Sequence, residues 1–322
     1  MIARSAPRTA GKIACPRATL LVMQRIFVTG ATGFVGHAVV RALLAHGFLV
    51  RCLVRPGSES LLKGFESIDR VPGDVLEPDG LPPSVEGSAA IIHLVGIIRE
   101  HRATGVTFDR LHTQATANML GVAREAGVKR YIQMSAVGTR SGAVSRYHRT
   151  KWQAEEVVRA SALDWTIIRP SLIFGPGDEF VSVLARMIRR LPAVPVLGDG
   201  QYQLQPIAVD QIAEGFARAL RLPLTVGQTY EAGGPEPYRF DELLDMVGKA
   251  LGVARVRKVH VSLGLIKVMT RAFGWLPFFP VTMDQITMLE EGNVTDPTRF
   301  YADFNMTPEP LALGLRRMFP NA

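Results

Sequence analysis

The octapeptide Thr29-Gly30-Ala31-Thr32-Gly33-Phe34-Val35-Gly36 constrains this chain more than any other stretch. It follows the apolar run Arg25-Ile26-Phe27-Val28, which reads as a short buried strand. It opens residues 34–46, where apolar side chains recur at helical spacing. A glycine-rich turn between a strand and a helix has a physical use. Gly30 makes the tight turn, Gly33 lets the backbone approach a pyrophosphate, and Gly36 lets the helix pack close to the strand. A diphosphate then rests on free backbone N–H groups at the positive end of the helix dipole, with Thr32, Phe34 and Val35 around it. Glycine triplets alone are weak evidence, because tight turns need glycine too. The strand before and the helix after supply the context that the pattern requires. The spacing is G-x-x-G-x-x-G rather than G-x-G-x-x-G.

Further strands are predicted at 49–54, 68–72, 89–94, 131–134 and 165–169, with helices at 108–126 and 147–160. Alternation of this kind implies right-handed crossovers and a parallel sheet covered on both faces. From about Phe174 the pattern changes, first at Gly175-Pro176-Gly177-Asp178 and again at Leu197-Gly198-Asp199-Gly200. Helices at 210–221, 240–251, 263–273 and 282–291 follow, separated by Pro- and Gly-rich links. The reading is an α/β fold. A doubly wound parallel sheet (Rossmann fold) covers residues 23–174, and a smaller α/β C-terminal cap domain covers 175–322, with some strands and helices returning to the first.

The bulk numbers exclude more than they assign. At 322 residues the chain can bury one large or two unequal cores. Two cysteines are too few for a disulfide framework, and no Cys/His cluster has metal-ligand spacing, so no metal is expected. No run of about 18 uncharged apolar residues suggests a membrane-spanning helix. The net charge is +8, and Arg4, Arg8, Lys12 and Arg17 lie in residues 1–22 without an acidic partner. That segment reads as a disordered extension or a targeting peptide. Beyond it no basic stripe interleaves with aromatics, so nucleic acid is not an expected partner.

Two further features bear on chemistry. Tyr147 and Lys151 are four residues apart on a predicted helix and so share a face. A phenol titrates near pH 10 and is a poor acid–base at neutral pH; an adjacent ammonium, with a nicotinamide cation nearby, is expected to lower that value toward the working range. At the end of the second strand, where an Asp or Glu would accept the ribose hydroxyls of NAD, the chain has Arg55. A cation there suits a 2′-phosphate, so NADP(H) is the preferred cofactor and NAD(H) the alternative. Ser58 and Lys63 are placed to add contacts.

These motifs together resemble the extended short-chain dehydrogenase/reductase superfamily, which includes nucleotide-sugar epimerases and dehydratases. The residues that carry the resemblance are 29–36, Gly73-Asp74-Val75, Tyr147 with Lys151, and Arg169-Pro170-Ser171 through Phe174-Gly175-Pro176-Gly177-Asp178. Gln205-Pro206-Ile207-Ala208-Val209-Asp210, Pro280-Val281-Thr282-Met283-Asp284-Gln285 and Glu291-Gly292-Asn293-Val294 resemble the branch of nucleotide-binding accessory subunits of respiratory complex I and their bacterial relatives. The resemblance implies that Asp74 and Val75 reach the adenine, that Leu94, Val95 and Gly96 line the inner side of the cofactor, and that Pro170 and Leu172 flank the nicotinamide. It also implies that Lys151 holds the nicotinamide ribose and that Tyr147 is the acid–base.

The chain departs from the active-enzyme pattern at two places. Aligning the fifth strand puts the substrate-polarising hydroxyl on Ala136, with Ser135 one place early; Ser135, Gln133 and His112 are the candidate substitutes. A helix-borne asparagine of the family is replaced by His112. Losing a hydroxyl donor costs on the order of 10²-fold in rate. The cofactor site therefore reads as intact and the chemical site as degraded. Two functions stay open: an NADP(H)-binding accessory protein of the respiratory chain or quinone metabolism, its nucleotide structural or redox-sensing, or a working reductase or epimerase/dehydratase using Tyr147 and Lys151. Residues 261–280 are apolar and aromatic with two cations, which fits either a core helix or a peripheral membrane contact. The implied location is cytoplasmic, peripheral on the inner face of the inner membrane, or the mitochondrial matrix if the source is eukaryotic.

Overall fold

The computed structural model describes residues 23–273 and 282–320; the expectations for residues 1–22 and for 274–281 lie outside the described residues. Strand β1 (Arg25–Thr29) leads into helix α1 (Phe34–Ala45), then β2 (Leu49–Val54), β3 (Ile68–Pro72), the single turn α2 (Pro82–Val85) and β4 (Ala90–His93). Helix α3 (Ala115–Glu125), β5 (Arg130–Met134), α4 (Arg146–Arg159) and β6 (Asp164–Pro170) follow. The remaining elements are β7 (Ile173–Phe174), α5 (Val181–Arg190), β8 (Val194–Leu197), β9 (Gln203–Leu204), β10 (Ile207–Ala208) and α6 (Val209–Ala219). The chain ends with β11 (Gln228–Ala232), β12 (Tyr238–Arg239), α7 (Phe240–Ala250), β13 (Lys258–Val261), α8 (Leu263–Phe273), α9 (Met283–Glu291), α10 (Thr298–Asp303) and α11 (Leu311–Met318).

Seven strands form one sheet in the order β11-β6-β5-β4-β1-β2-β3. Every pairing within it is parallel. The order reverses between β1 and β4, and that is where a doubly wound sheet opens its ligand crevice. Strand alternation decides the two faces. Ile26 and Val28 of β1 join one apolar cluster with α1, α6 and Phe300 and Phe304. Phe27 points the other way, into a cluster with Met119 and Ala123 of α3 and Val158 of α4. A third core lies apart from the sheet, built from Val181 and Leu184 of α5, Val194 and Val196 of β8, Leu243, Leu244 and Val247 of α7, and Leu311 and Leu315 of α11.

Three pairs of short strands link these parts. Strand β7 pairs with β10, β9 with β12, and β8 with β13. The helix expected over 108–126 is interrupted. Residues Asp109–Gln114 wind as a wider π-type turn before the α-helix begins at Ala115. The Thr116 hydroxyl donates to the His112 carbonyl at 2.6 Å, and the side chains of His112 and Thr113 reach across to α4. Those bonds compensate the widened turn. No helix among the described residues is long and apolar enough to cross a membrane.

Candidate functional site

The turn after β1 is built around its glycines. Gly30 has φ +76°, and a Cβ there would lie 3.0 Å from the Leu94 and Val95 backbone at the end of β4. A Cβ on Gly36 would lie 2.2 Å from the Gly30 carbonyl oxygen, so only glycine lets α1 start so close to β1. The Gly33 N–H donates to Gly30 O at 3.1 Å, and Gly33 O accepts the first helical bond, from His37 N, at 3.0 Å. Gly33 occupies the N-cap without a side chain, and the first turn holds no acidic residue. The leading N–H groups of α1 therefore lie at the positive end of the helix dipole, with no side-chain cap on Gly33 among the described residues.

Lys151 and Tyr147 sit on one face of α4, but they do not interact as expected. Lys151 is 2% exposed, and its Nζ donates to the Met134 carbonyl at 3.2 Å. A Cβ on Gly96 would come within 2.9 Å of that Nζ, so the loop after β4 lies directly over the ammonium. Burial lowers the Lys151 pKa to about 8, with the carboxylate of Glu155 opposing the shift. Tyr147 is 8% exposed, and its ring meets Phe108, His112 and His148 edge-on at 5.8, 5.2 and 5.1 Å between centroids. Here the sequence expectation needs correction. The Tyr147 phenol is pushed up to about 12, first by burial and then by the Asp284 carboxylate. An enclosed phenol beside an anion resists ionisation even with a lysine four residues away.

The other expected residues are positioned as follows. Ser135 stays in the strand ladder, its N–H donating to Ile168 O at 2.7 Å, and its buried hydroxyl turns to Thr139 Oγ1 at 3.5 Å. Asp74 accepts from the Leu76 N–H at 2.9 Å in the turn after β3, and Val75 is buried beside it. Arg55 is exposed just past β2. Leu94 is buried, its N–H on Thr29 O, while Val95 and Gly96 lead outward. Pro170 closes β6, and the Leu172 N–H donates to Asn293 Oδ1 at 2.9 Å.

His112 does more than stand where an asparagine was expected. Its Nε2 lies 3.2 Å from the Ile97 N and 3.1 Å from the Ile97 carbonyl oxygen, and its Nδ1 lies 2.9 Å from Thr150 Oγ1. The Thr150 hydroxyl itself donates to the carbonyls of Arg146 and Tyr147. The imidazole thus ties the loop over Lys151 to α4. Sequence reasoning missed His93, fully buried in β4 with Nδ1 2.6 Å from Thr29 Oγ1 and Nε2 without a partner among the described residues. It also assigned no contacts to Asp284, Glu291 or Asn293, although all three lie in segments it had singled out. The signal was a set of polar residues; their partners lie too far away in sequence to be read.

These features fit a nicotinamide dinucleotide: a glycine turn at the α1 N-terminus, glycine where backbones close in, and a buried ammonium beneath the loop after β4. A family model described as NAD(P)H-binding matches residues 30–179. The mouse NADH dehydrogenase [ubiquinone] 1 alpha subcomplex subunit 9 is 30% identical over 89% of this chain and 77% of its own length. The chain belongs to the NAD(P)-binding extended short-chain dehydrogenase/reductase family. It spans 65% of the length of the Dictyostelium discoideum version of that subunit. The ceramide reductase of Caulobacter vibrioides is 32% identical over 62% of this chain and 62% of its own length. The fold is also that of the UDP-glucuronic acid 4-epimerase of Bacillus cereus, solved with UDP-glucuronic acid and NAD. The TM-score is 0.72 at 19% identity, covering 92% of this chain and 98% of that one.

Proposed function

We propose that this chain holds NADP(H) as a structural or redox-sensing group, in an accessory role tied to respiratory complex I or to quinone metabolism. One observation carries the reading: Tyr147 is enclosed by three rings beside the Asp284 carboxylate, with its phenol at about 12. A working acid–base needs a pKa near the operating pH. Ala136 at the hydroxyl position points the same way, whereas the glycine cradle and Lys151 retain what nucleotide binding needs. When bound, the dinucleotide supplies hydride chemistry. The residues of this chain orient it, with the α1 N-terminus on the diphosphate and Lys151 at the nicotinamide ribose.

The exposed Arg55 supports a preference for the 2′-phosphate, with Ser58 and Lys63 nearby in sequence. Similarity to the mitochondrial complex I subunits supports a respiratory partner, at the matrix or cytoplasmic face of the inner membrane. Helix α8 supports contact with that membrane, since Leu265 and Val268 are 54% and 61% exposed. The cap domain, on this reading, is the core of α5, α7 and α11 beyond residue 175.

The test is a mass spectrum of nucleotide released from the purified protein, joined to equilibrium titrations with NADPH and NADH. Slowly exchanging NADP(H) is expected, and Arg55→Asp should weaken NADPH roughly ten- to hundredfold, the worth of a hydrogen bond to a charged group. Failure to bind either nucleotide would overturn the reading. The similarity to the ceramide reductase favours a second reading, a reductase of a long-chain carbonyl substrate. It predicts NADPH oxidation with a ceramide-type ketone that disappears in Tyr147→Phe while nucleotide binding persists.

A further inference from the structure

Helix α4 receives its N-terminal caps from a helix more than a hundred residues away in sequence. Its own Ser145 hydroxyl accepts from the His148 N–H at 3.3 Å. Beyond that, Asp284 Oδ1 accepts from the Arg146 N–H at 2.8 Å and Asp284 Oδ2 from the Tyr147 N–H at 3.1 Å. Glu291 Oε1 accepts from the Val144 N–H at 2.7 Å and from Arg140 at 2.8 Å, and its Oε2 accepts from the Ser145 N–H at 3.2 Å. Four consecutive backbone N–H groups, 144–147, thus end on two carboxylates of α9. Both sit at the positive end of the α4 dipole, where an anion is favoured.

The segment after α9 continues the clamp. Asn293 takes the Leu172 N–H. The Thr295 N–H donates to Gln205 Oε1 at 2.7 Å, and its hydroxyl donates to Glu231. Residues 284–295 therefore hold the loop after β5, the start of α4 and the turn after β6. These are the segments assigned to the nicotinamide end of the cleft. Helix α9 has one buried residue, Ile286, and its partly buried Leu289 packs against the third core. Its own N-terminus is closed locally: Thr282 Oγ1 accepts from the Gln285 N–H at 3.2 Å, and Gln285 Oε1 accepts from the Thr282 N–H at 2.9 Å. The polar ties between α9 and the start of α4 are charge-assisted hydrogen bonds to Asp284 and Glu291.

We infer that α9 is a releasable cap on the helix that carries Tyr147 and Lys151, with Asp284 and Glu291 as positioning residues, and that its docking and dinucleotide binding favour each other. The inference rests on the dinucleotide reading above. Linkage makes the coupling reciprocal: if docked α9 pre-orders the nicotinamide end, bound nucleotide must strengthen docking by the same factor.

Hydrogen exchange of the full chain, with and without saturating NADPH, tests this together with NADPH titrations of wild type, Asp284→Asn and Glu291→Gln. In the wild type, NADPH should slow exchange across 144–147 and across α9. Each variant should bind NADPH roughly tenfold more weakly and lose the protection of α9. A second readout concerns Tyr147, which is faced by His112 from the π-type turn, His148 and Lys151 from its own helix, and Asp284 from α9. The wild-type minus Tyr147→Phe difference spectrum isolates its tyrosinate band, which should emerge at lower pH when Asp284→Asn is present in both chains. Removing the Asp284 charge shifts that band by itself, so Glu291→Gln is the discriminating arm: Glu291 is not among the charges that raise the Tyr147 phenol, and the band should move in that variant only if α9 lets go. Should Asp284→Asn fail to fold, Asn293→Ala removes only the Leu172 tie and should still weaken NADPH several-fold. Unchanged affinity in the variants, with α9 exchange indifferent to NADPH, would overturn the inference alone. A wild type that binds neither NADPH nor NADH would overturn the dinucleotide reading and this inference with it.

Discussion

His93, His112 and Lys151 put three titratable groups into one dry region. Burial and the Lys151 charge lower the His93 pKa from 6.5 to about 3, and the same two causes hold His112 well below its ordinary value. Both imidazoles are neutral in the folded chain at pH 7. The unfolded chain, with histidines near 6.5, binds more protons between about 3 and 6.5, so stability must fall as pH drops through that window. At pH 5 one such histidine costs about 2 kcal/mol. Urea midpoints should therefore decline from pH 7.5 to pH 5, and His93→Gln should flatten the slope; an unchanged slope in that variant would reject the assignment. Lys151 acts in the same sense in a higher window: its amine is lowered from 10.5 to about 8, so the unfolded chain binds more protons between those values and stability rises with pH there. Little of this was legible in the sequence. His93 is one polar residue in an apolar run, and its partner Thr29 is 64 residues earlier, placed opposite it only by the β1–β4 register. The spacing of Tyr147 and Lys151 could be read; the environment that sets their ionisation could not, because Asp284 lies 137 residues from Tyr147.

Elements that depend on local pattern were the legible ones. The six strands β1 to β6 and helices α1, α4, α6, α7, α8 and α9 fall within a residue or two of expectation, since buried strands and amphipathic helices write their periods into the chain. Helix α5 was missed behind the Gly-Pro-Gly break at 175–177, and α10 and α11 are too short, six and eight residues, for a period to show. Strand β11 was missed for another reason. Gln228-Thr229-Tyr230-Glu231-Ala232 is an edge strand with polar residues on one face, and only pairing with β6 reveals it as the seventh strand. The packing of α1 on β1 was legible as a glycine requirement, and it yields a sharp prediction. Gly36→Ala would force a Cβ to 2.2 Å from a backbone oxygen that has no flexible side chain to yield. Overpacking of this sort costs about 1–3 kcal/mol, and it displaces the N–H groups that form the diphosphate cradle. The variant should melt earlier and lose dinucleotide binding, whereas Gly121→Ala, on an open face of α3, should do neither. Equal behaviour of the two would refute the close-packing role.

Across the whole molecule, the nucleotide crevice and the exposed apolar face are joined by a short chain of contacts. Helix α8 shows Leu265 and Val268 to solvent at i, i+3 spacing, so they share one stripe. Lys267, between them, pairs with Glu290 of α9 at 2.7 Å. The next residue, Glu291, caps the approach to α4, and Asp284 caps Tyr147 itself. A surface that engages the α8 stripe is thus two helix-to-helix steps from Tyr147, an ion pair from α8 to α9 and hydrogen bonds from α9 to the start of α4. An anionic lipid surface suits a chain of net charge +8 whose apolar stripe lies next to a lysine. Fully burying an aliphatic side chain is worth about 1.5–3 kcal/mol, so losing two half-exposed ones, with charges put in their place, should weaken partitioning at least roughly tenfold. Leu265→Asp/Val268→Asp should no longer sediment with phosphatidylserine vesicles that retain the wild type, and its circular dichroism and NADPH affinity should be unchanged because neither residue lies in a core. Added salt should weaken the wild type only in part, since the apolar contribution is not screened. Sedimentation of the double variant at the wild-type level would place the membrane contact elsewhere, and retention abolished by salt alone would make it a purely electrostatic one.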